Sequence, residues 1–311
     1  MLTLRSITRI VNPPYLFRPN QIVNRIWREF AWRSSTREIV RLPWGLNIIV
    51  NPHEAIGYNI STQGLYELTV TEALWRLSER GELAVDVGAN IGYTASVLGM
   101  RVGSEGRVVL FEPHPEVFKS LSENVKMWQE NRKCGAFILH NTALGKGNGV
   151  ALLKTNEWFK TNKGTAWITN GQDSSEGATI YVRTEKLDSV LHENERIGVM
   201  KIDAQGAELD ILTGMTEILT QRRVRDIVFE EFGEFPAPTH RFLQSMGYAV
   251  FGLEPRLLGL RCLPDTAPSN DNVDGDPPNY LGSIEPARAV RRLSQLAWRS
   301  FGILSCISEQ R

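Results

Sequence analysis

The sequence has 311 residues, and its 35 Lys or Arg balance 35 Asp or Glu, so that the formal net charge is zero. Because a nucleic-acid duplex or an anionic membrane attracts a basic excess, this balance argues against both as the main partner and favours a small-molecule or glycan partner. The three cysteines are widely spaced and form no C-x-x-C pair, which argues against a disulfide framework and a zinc site. No apolar run reaches the roughly 18 to 20 residues that a membrane-spanning helix needs. We therefore expect a cytoplasmic protein.

Residues 1–44 are predicted to form a basic arm ahead of the main domain. No acidic residue precedes Glu29, a composition that is also typical of a transit peptide. The stretch "QIVNRIWREFAW" has apolar side chains at helical spacing from Ile22 to Trp32, so we expect a helix that packs on the domain or on the second subunit of a homodimer. The following "EIVRLPWGLNIIVNP" predicts two strands joined by a turn.

Residues 45–285 contain the pattern of one α/β domain. After a helix in "GLYELTVTEALWRLSER", strands alternate with helices through "ELAVDVG", "GRVVLFEP", "AFILHN", "IGVMKID" and "VRDIVFEEF". Nearly continuous Val, Ile and Leu in these strands predict a parallel sheet that helices cover on both faces. Residues 145–179 interrupt the alternation with polar, glycine-rich sequence, for which we predict a long loop with one hairpin.

The last predicted element is a helix in residues 286–311. Its sequence, "EPARAVRRLSQLAWRSFGIL", is basic and amphipathic. Such a helix packs on its own domain, on a partner helix or on a membrane surface, so peripheral membrane contact through the terminal helices is one expectation.

The stretch "VDVGANIGY" ends a predicted strand with Asp86 and continues with Gly88, Asn90 and Gly92. In an open parallel sheet, the ligand crevice lies beyond the carboxyl ends of the strands, where the strand order reverses. Glycines there allow the backbone to approach a ligand, and the N–H groups that open the next helix can donate to a carboxylate or phosphate. A glycine turn that only lets a helix pack on the sheet is the alternative without a ligand.

Two cofactor classes use this geometry. A dinucleotide requires G-x-G-x-x-G, whereas here Asn90 replaces the second glycine and the spacing is Gly88-x-x-x-Gly92. S-adenosylmethionine (SAM) has an ammonium, a carboxylate and a sulfonium but no phosphate, so Asp86 can pair with its amino group. Glu112, which ends the next strand in "LFEPHP", can accept the ribose hydroxyls of either cofactor. The pattern favours SAM, and an NAD-dependent oxidoreductase is the alternative.

Five blocks together resemble the FkbM-type family of SAM-dependent methyltransferases. They are "VDVGANIGY", "FEPHPEVFKSLSENV", "NTALG", "KIDAQGAELDILTGM" and "IVFEEF", in this order and spacing. With the preceding helix, the resemblance covers residues 45–255. It implies a Rossmann-like class I methyltransferase fold with a seven-stranded, mostly parallel sheet. It also implies an O-methyltransferase that acts on a saccharide, a glycolipid or a secondary metabolite.

The resemblance further implies roles for individual residues. The cofactor site would contain the glycine loop, the acid at the second strand tip, the third strand tip near the adenine and the acid beside the methyl group: Asp86, Gly88, Ala89, Asn90, Gly92, Tyr93, Glu112, Pro113, Asn141, Thr142, Ala143 and Asp203. One position departs from the family pattern, since Gln205 stands where Glu is commoner. Because an amide cannot take up a proton, a SAM-binding module without catalysis is a further alternative.

Methyl transfer to a hydroxyl requires alignment with the methyl group and a group that accepts the proton. Asp203 is the first candidate for this group, and a role at the start of the following helix is its alternative. Glu230 is the second; because strand alternation sends Glu230 and Glu231 to opposite faces, we place Glu230 in the crevice. We assign Glu67, Gln205 and Glu231 to the substrate pocket, with a helix cap as the alternative for Glu67. We name no metal, although Asp203 and Glu230 together could bind a divalent cation through oxygen ligands.

Overall fold

The computed structural model describes residues 35–169, 177–268 and 277–301. The helix expected between Ile22 and Trp32 lies outside the described residues. The helices are, in chain order, α1 Ala55–Gln63, α2 Leu68–Leu77, α3 Tyr93–Val102, α4 Pro115–Gln129, α5 Leu187–Val190, α6 Glu208–Thr213, α7 Thr216–Thr220, α8 Pro238–Ser245 and α9 Pro286–Leu293. The strands are β1 Glu38–Arg41, β2 Asn47–Val50, β3 Leu83–Val87, β4 Arg107–Phe111, β5 Ala136–His140, β6 Ala143–Leu144, β7 Gly149–Thr155, β8 Trp167–Thr169, β9 Ala178–Glu185, β10 Ile197–Ile202, β11 Val224–Glu230, β12 Ala249–Arg256, β13 Gly259–Pro264 and β14 Asn279–Ser283.

The main sheet has eight strands in the order β13-β12-β14-β11-β10-β3-β4-β5. Strands β11, β10, β3, β4 and β5 are parallel, and β14 lies antiparallel between β11 and β12. This arrangement confirms the predicted Rossmann-like class I fold. The expected seven strands are extended by one, because β13 pairs antiparallel with β12 at the edge of the sheet.

The strand order reverses between β3 and β10, which are parallel neighbours in the middle of the sheet. Asp86 of β3 pairs in register with Lys201 of β10. Since the carboxyl ends of both strands meet here, the ligand crevice of the fold lies above these two residues.

Helices cover both faces of the sheet, and β3 and β10 are buried along their whole length. Helices α2, α3 and α4 pack on one face, and α6, α7 and α8 on the other. The apolar stripe of α4 that the sequence predicts, from Val117 to Trp128, is buried. The indole N–H of Trp128 also donates to the carbonyl oxygen of Asn47 at 2.6 Å and so attaches the predicted β1–β2 hairpin to the domain.

The prediction of a long loop with one hairpin for residues 145–179 is confirmed for the hairpin but missed a second sheet, and residues 170–176 of this segment lie outside the described residues. Strands β7 and β8 form the predicted hairpin, but with β6 and β9 they build a second sheet in the order β6-β9-β7-β8. The buried core of this sheet is small and consists of Ala143, Leu153 and Val182. Because few apolar residues alternate in this segment, its sequence has little of the period-two signal that reveals strands.

The single helix predicted in "ELDILTGMTEILTQR" is divided into α6 and α7. Gly214 lies between them, and a Cβ at this position would overlap the carbonyl oxygen of Gly145. The segment after β6 therefore approaches so closely that glycine is required at the break between the two helices. Helix α1 is an element that we did not predict.

The C-terminal helix α9 packs on its own domain. Ala289 and Leu293 are buried, and Arg288 donates to the buried carboxylate of Asp226 at 2.8 Å. The helix ends at Leu293 and does not continue through residues 294–301, whereas residues 302–311 of the predicted segment lie outside the described residues. Within the described ranges, no helix is long and apolar enough to cross a membrane.

Candidate active site

The loop between β3 and α3 turns sharply at the carboxyl end of the strand. Gly88, Asn90 and Gly92 have φ angles of 72°, 50° and 93°, in the left-handed region that favours glycine. A Cβ on Gly88 would overlap the carbonyl oxygen of Asp203, and a Cβ on Gly92 would lie 2.8 Å from Cδ1 of Leu121. Packing within the chain therefore requires glycine at both positions. This agrees with the alternative in which the glycine turn only lets a helix pack on the sheet.

Asp86 lies fully buried beneath this loop. Its Oδ2 accepts a hydrogen bond from Thr94 Oγ1 at 2.7 Å, and its Oδ1 lies 3.7 Å from Nζ of Lys201. Burial raises the pKa of Asp86, although the charge of Lys201 and the Thr94 hydroxyl oppose this. The carboxylate has no exposed surface and its charged neighbour is Lys201, and the direct contact between Asp86 and the cofactor amino group stays a prediction.

Lys201 is a site residue that the sequence reasoning missed. Its Nζ donates to the carbonyl oxygen of Gly88 and to Oδ2 of Asp203, each at 3.1 Å. Burial alone would lower the pKa of Lys201, but the carboxylates around it, above all Asp203 and Asp86, outweigh burial and raise it. Lys201 is thus a fixed cation and no proton acceptor. The signal in the sequence was a lysine within the otherwise apolar strand "IGVMKI".

A cavity of about 150 Å³ opens over the glycine loop. Three carboxylates line it, from Glu67, Asp203 and Glu230, and each offers an oxygen within 4.8 Å of the other two. Asp203 follows β10 and Glu230 ends β11, so the two predicted catalytic candidates meet because neighbouring parallel strands end at the same edge. Glu67 reaches them from the start of α2. These oxygens can accept hydroxyl donors and are also the type of ligand that divalent cations prefer.

The side chain of Asp203 is oriented toward this cavity by its neighbours. Its Oδ1 accepts a hydrogen bond from Gln205 Nε2 at 2.9 Å. The alternative role at the start of α6 belongs to Glu208, whose Oε1 accepts from the backbone N–H groups of Ala204 at 3.0 Å and Gly206 at 3.2 Å. Asp203 is therefore not needed as a helix cap.

Aromatic and neutral polar side chains complete the larger cavity. Besides the carboxylates and the loop that contains Ala89, its walls include Ile56, Tyr66, Tyr93, Asn162, Thr165 and Phe232. Asn162 and Thr165 belong to the segment between β7 and β8, which is attached to α1 by a hydrogen bond from Ala55 N to Thr161 O of 2.7 Å. Glu231 lies outside this lining, where its Oε1 accepts from Gly233 N at 2.9 Å, and its assignment to the substrate pocket stays a prediction.

Three residues of this lining have an unusual backbone. Glu67, Asn90 and Gln205 are not glycines, yet their φ angles are 42°, 50° and 51°. Left-handed conformations of such residues cost about 1–3 kcal/mol each and cluster at functional sites. Their concentration around one cavity supports its assignment as the active site.

A second cavity of about 70 Å³ adjoins the first. The two share Gly88, Asn90, Gly164, Asp203 and Gln205. The smaller cavity is lined by further predicted cofactor residues, which are Glu112, Pro113, Thr142 and Ala143. The predicted adenosine side and methyl side of the site are therefore neighbours.

Glu112 is buried at the edge of the smaller cavity. Its Oε2 accepts from Asn90 N at 3.0 Å and its Oε1 from His114 N at 2.8 Å. Burial raises the pKa of Glu112 to about 7 in spite of these hydrogen bonds. Asn141 supports the strand tip and does not line the cavity, because its Nδ2 donates to the carbonyl oxygens of Glu112 at 2.8 Å and Pro113 at 3.1 Å.

Known proteins share this arrangement of sequence blocks. The model of the methyltransferase FkbM domain matches residues 86–250. The chain is 29% identical to the hexuronic acid methyltransferase AglP of Haloferax volcanii over 155 residues, which are 49% of this chain and 58% of AglP. It is 25% identical to methyltransferase 1 of Beauveria bassiana over 184 residues, which are 53% of this chain and 72% of that protein.

Among solved structures, a methyltransferase FkbM from Methylobacillus flagellatus KT is 14% identical to the chain, with a TM-score of 0.38. The similarity covers 66% of this chain and 43% of that one. The chain therefore spans less than two thirds of AglP and of the M. flagellatus protein.

The residues that match the FkbM domain carry most of the site. They begin at Asp86 and include the glycine loop, Glu112, Asp203 and Glu230. Because this match covers more than half of the sequence, the chain belongs to the FkbM methyltransferase family.

Proposed function

We propose that the protein is a SAM-dependent O-methyltransferase that transfers a methyl group to a hydroxyl of a saccharide, a glycolipid or a secondary metabolite. The observation that carries this proposal is the cavity in which Asp203 and Glu230 lie together beside the glycine loop. Family membership supports methyl transfer, and a relative named hexuronic acid methyltransferase supports a saccharide acceptor.

The residues of the two adjoining cavities suit SAM. Glu112 offers carboxylate oxygens for the ribose hydroxyls, and the carboxylates of the larger cavity suit a cofactor that carries an ammonium and a sulfonium. When bound, SAM supplies an electrophilic methyl group on a positively charged sulfur. The same carboxylates disfavour a pyrophosphate, which supports SAM over NAD.

Asp203 is the proposed proton acceptor for the acceptor hydroxyl. Gln205 and Lys201 each hold one of its oxygens, so that the carboxylate has a fixed orientation. Glu230 lies close enough to share the same hydroxyl, and its side chain is almost buried. Position and proton removal are what a poor nucleophile such as a sugar hydroxyl requires.

Two alternatives are weakened by the same geometry. In a module that only binds SAM, the loss of a glutamate at position 205 would remove the catalytic carboxylate, but Asp203 and Glu230 are still present in the cavity. A nucleic-acid acceptor would bring phosphates toward these carboxylates, which would repel them. We therefore propose a small-molecule or glycan acceptor. The free thiols of Cys134 and Cys262 support a cytoplasmic location as part of the same proposal.

Calorimetry with SAM, S-adenosylhomocysteine (SAH) and NAD tests the cofactor. We expect SAM and SAH to bind and NAD not to bind, and binding of NAD alone would refute the proposal. Release of SAH from SAM after addition of glycan acceptors then tests catalysis. SAM binding without any SAH release would favour the non-catalytic module.

A further inference from the structure

We infer that the acceptor is an uncharged sugar residue at the methylated position, with no carboxylate or phosphate beside the reacting hydroxyl. This inference rests on the proposed function and narrows its acceptor class. It also separates this chain from AglP, whose name denotes an acceptor sugar that carries a carboxylate. It follows from the charges of the larger cavity and from the bonding of the lysine that lines it.

Lys201 is the only Lys, Arg or His among the described residues that line the larger cavity. Its ammonium donates to the carbonyl oxygen of Gly88 and to Asp203, each at 3.1 Å, and faces Oδ1 of Asp86 at 3.7 Å. Its side chain is only 5% exposed. Because two of its N–H groups donate within the protein, the Asp86 carboxylate lies 3.7 Å away and its side chain is almost buried, Lys201 offers little contact to an anionic acceptor.

The other charges of this lining are negative. Glu67, Asp203 and Glu230 set three carboxylates against one ammonium, a formal excess of two negative charges. The net positive charge of SAM would offset one of them, so the cavity stays negative with the cofactor bound. Among the described residues of this lining, a carboxylate or phosphate on the acceptor would meet like charges and no accessible cation, which is costly in a partly desolvated site.

The nearest basic residue of the adjoining lining does not change this balance. Lys163 lines the smaller cavity and lies 3.4 Å from Oε1 of Glu54, so it belongs to the cofactor side and is already paired.

A neutral sugar finds suitable partners in the same cavity. Carboxylates accept hydrogen bonds from hydroxyl groups, and the side chains of Asn162 and Thr165 can both donate and accept. Tyr66 and Tyr93, whose rings lie edge to face at 6.0 Å, add apolar surface for the carbon side of a sugar ring. The lining thus combines hydroxyl recognition with rejection of anions.

Two matched sugars test the inference on the full chain. One is p-nitrophenyl β-glucoside, which has a hydroxymethyl group. The other is p-nitrophenyl β-glucuronide, which has a carboxylate in its place and is otherwise identical. Methyl transfer from labelled SAM gives kcat/KM for each, and calorimetry on the enzyme–SAH complex gives each Kd even where transfer is slow. We expect kcat/KM to be at least about tenfold higher and Kd at least about tenfold lower for the glucoside than for the glucuronide, because contact between like charges weakens binding.

Variants then assign the preference to the cavity. Glu67→Gln and Glu230→Gln remove one negative charge each and should bring the Kd values of the two sugars closer together. Glu193 is an exposed carboxylate that precedes β10, at the end of the strand opposite the cavity. Glu193→Gln should therefore leave the ratio of the two Kd values unchanged. Circular dichroism verifies that each variant is folded.

The outcomes separate this inference from the function on which it rests. Equal or tighter binding of the glucuronide, or a ratio that neither cavity variant changes, would overturn the inference alone. If an enzyme that binds SAM neither binds nor methylates either sugar, the saccharide acceptor of the proposed function fails, and the inference fails with it.

Discussion

Protonation of Glu112 should control cofactor affinity near neutral pH. Burial raises the pKa of this carboxyl to about 7, and the ribose hydroxyls donate best to its ionised form. Affinity should therefore be full above pH 7 and decrease below it. For a pKa of about 7, the ionised fraction falls from about nine tenths at pH 8 to about one tenth at pH 6, so the Kd for SAM should rise about tenfold, or by about 1.4 kcal/mol.

Calorimetric titration of SAM between pH 6 and pH 8 measures this effect on the wild type and on Glu112→Gln. The amide has no charge and can no longer accept from both backbone N–H groups that Glu112 holds, those of Asn90 and His114. We expect it to bind SAM about 1.5–3 kcal/mol more weakly at pH 8. Titration of the SAM amino group is common to both proteins and cancels in their comparison. Glu116→Gln, an exposed neutralisation four residues away, is the matched control.

A wild-type Kd that does not change between pH 6 and pH 8 would refute this reasoning. So would an equal pH dependence in Glu112→Gln. The same shift also has a consequence for the unliganded protein. Because the pKa of Glu112 is higher in the folded protein than its ordinary value of 4.5, its ionisation opposes folding, and this group should favour folding increasingly as the pH falls from 7 toward 4.5.

Three further predictions concern the proton acceptor, the C-terminal helix and metals. Asp203→Asn should lower kcat by about 10²- to 10⁴-fold while the fold is retained, as measured by SAH release, and an unchanged kcat would move the proton-accepting role elsewhere. Asp226→Asn should lower the free energy of unfolding in urea by about 3–5 kcal/mol, because it removes the buried charge that pairs with Arg225 at 2.9 Å and with Arg288 at 2.8 Å; a loss below about 1 kcal/mol would contradict this. Turnover should persist in EDTA, because the ammonium of Lys201 already lies 3.1 Å from Asp203, and a loss of turnover that Mg²⁺ restores would contradict this.

Much of the site follows from sequence, because strand tips can be located from local pattern. Runs of Val, Ile and Leu mark β3, β4, β10 and β11, and a parallel sheet brings their carboxyl ends to one edge. The positions of Glu112, Asp203 and Glu230 in or beside the cavities follow from that rule alone. The glycines of the loop between β3 and α3 can also be recognised in the sequence, because a left-handed turn after a buried strand favours glycine.

Tertiary structure alone decided the electrostatics of the site. The register of β3 against β10 places Lys201 beside Asp86 in a buried ion pair that the sequence did not predict. The approach of α2 brings Glu67 to Asp203, although the two are far apart in the chain. Local periodicity encodes which face of an element is buried, whereas the partner of a buried charge depends on register and on helix packing between distant segments, and no local pattern specifies either of these.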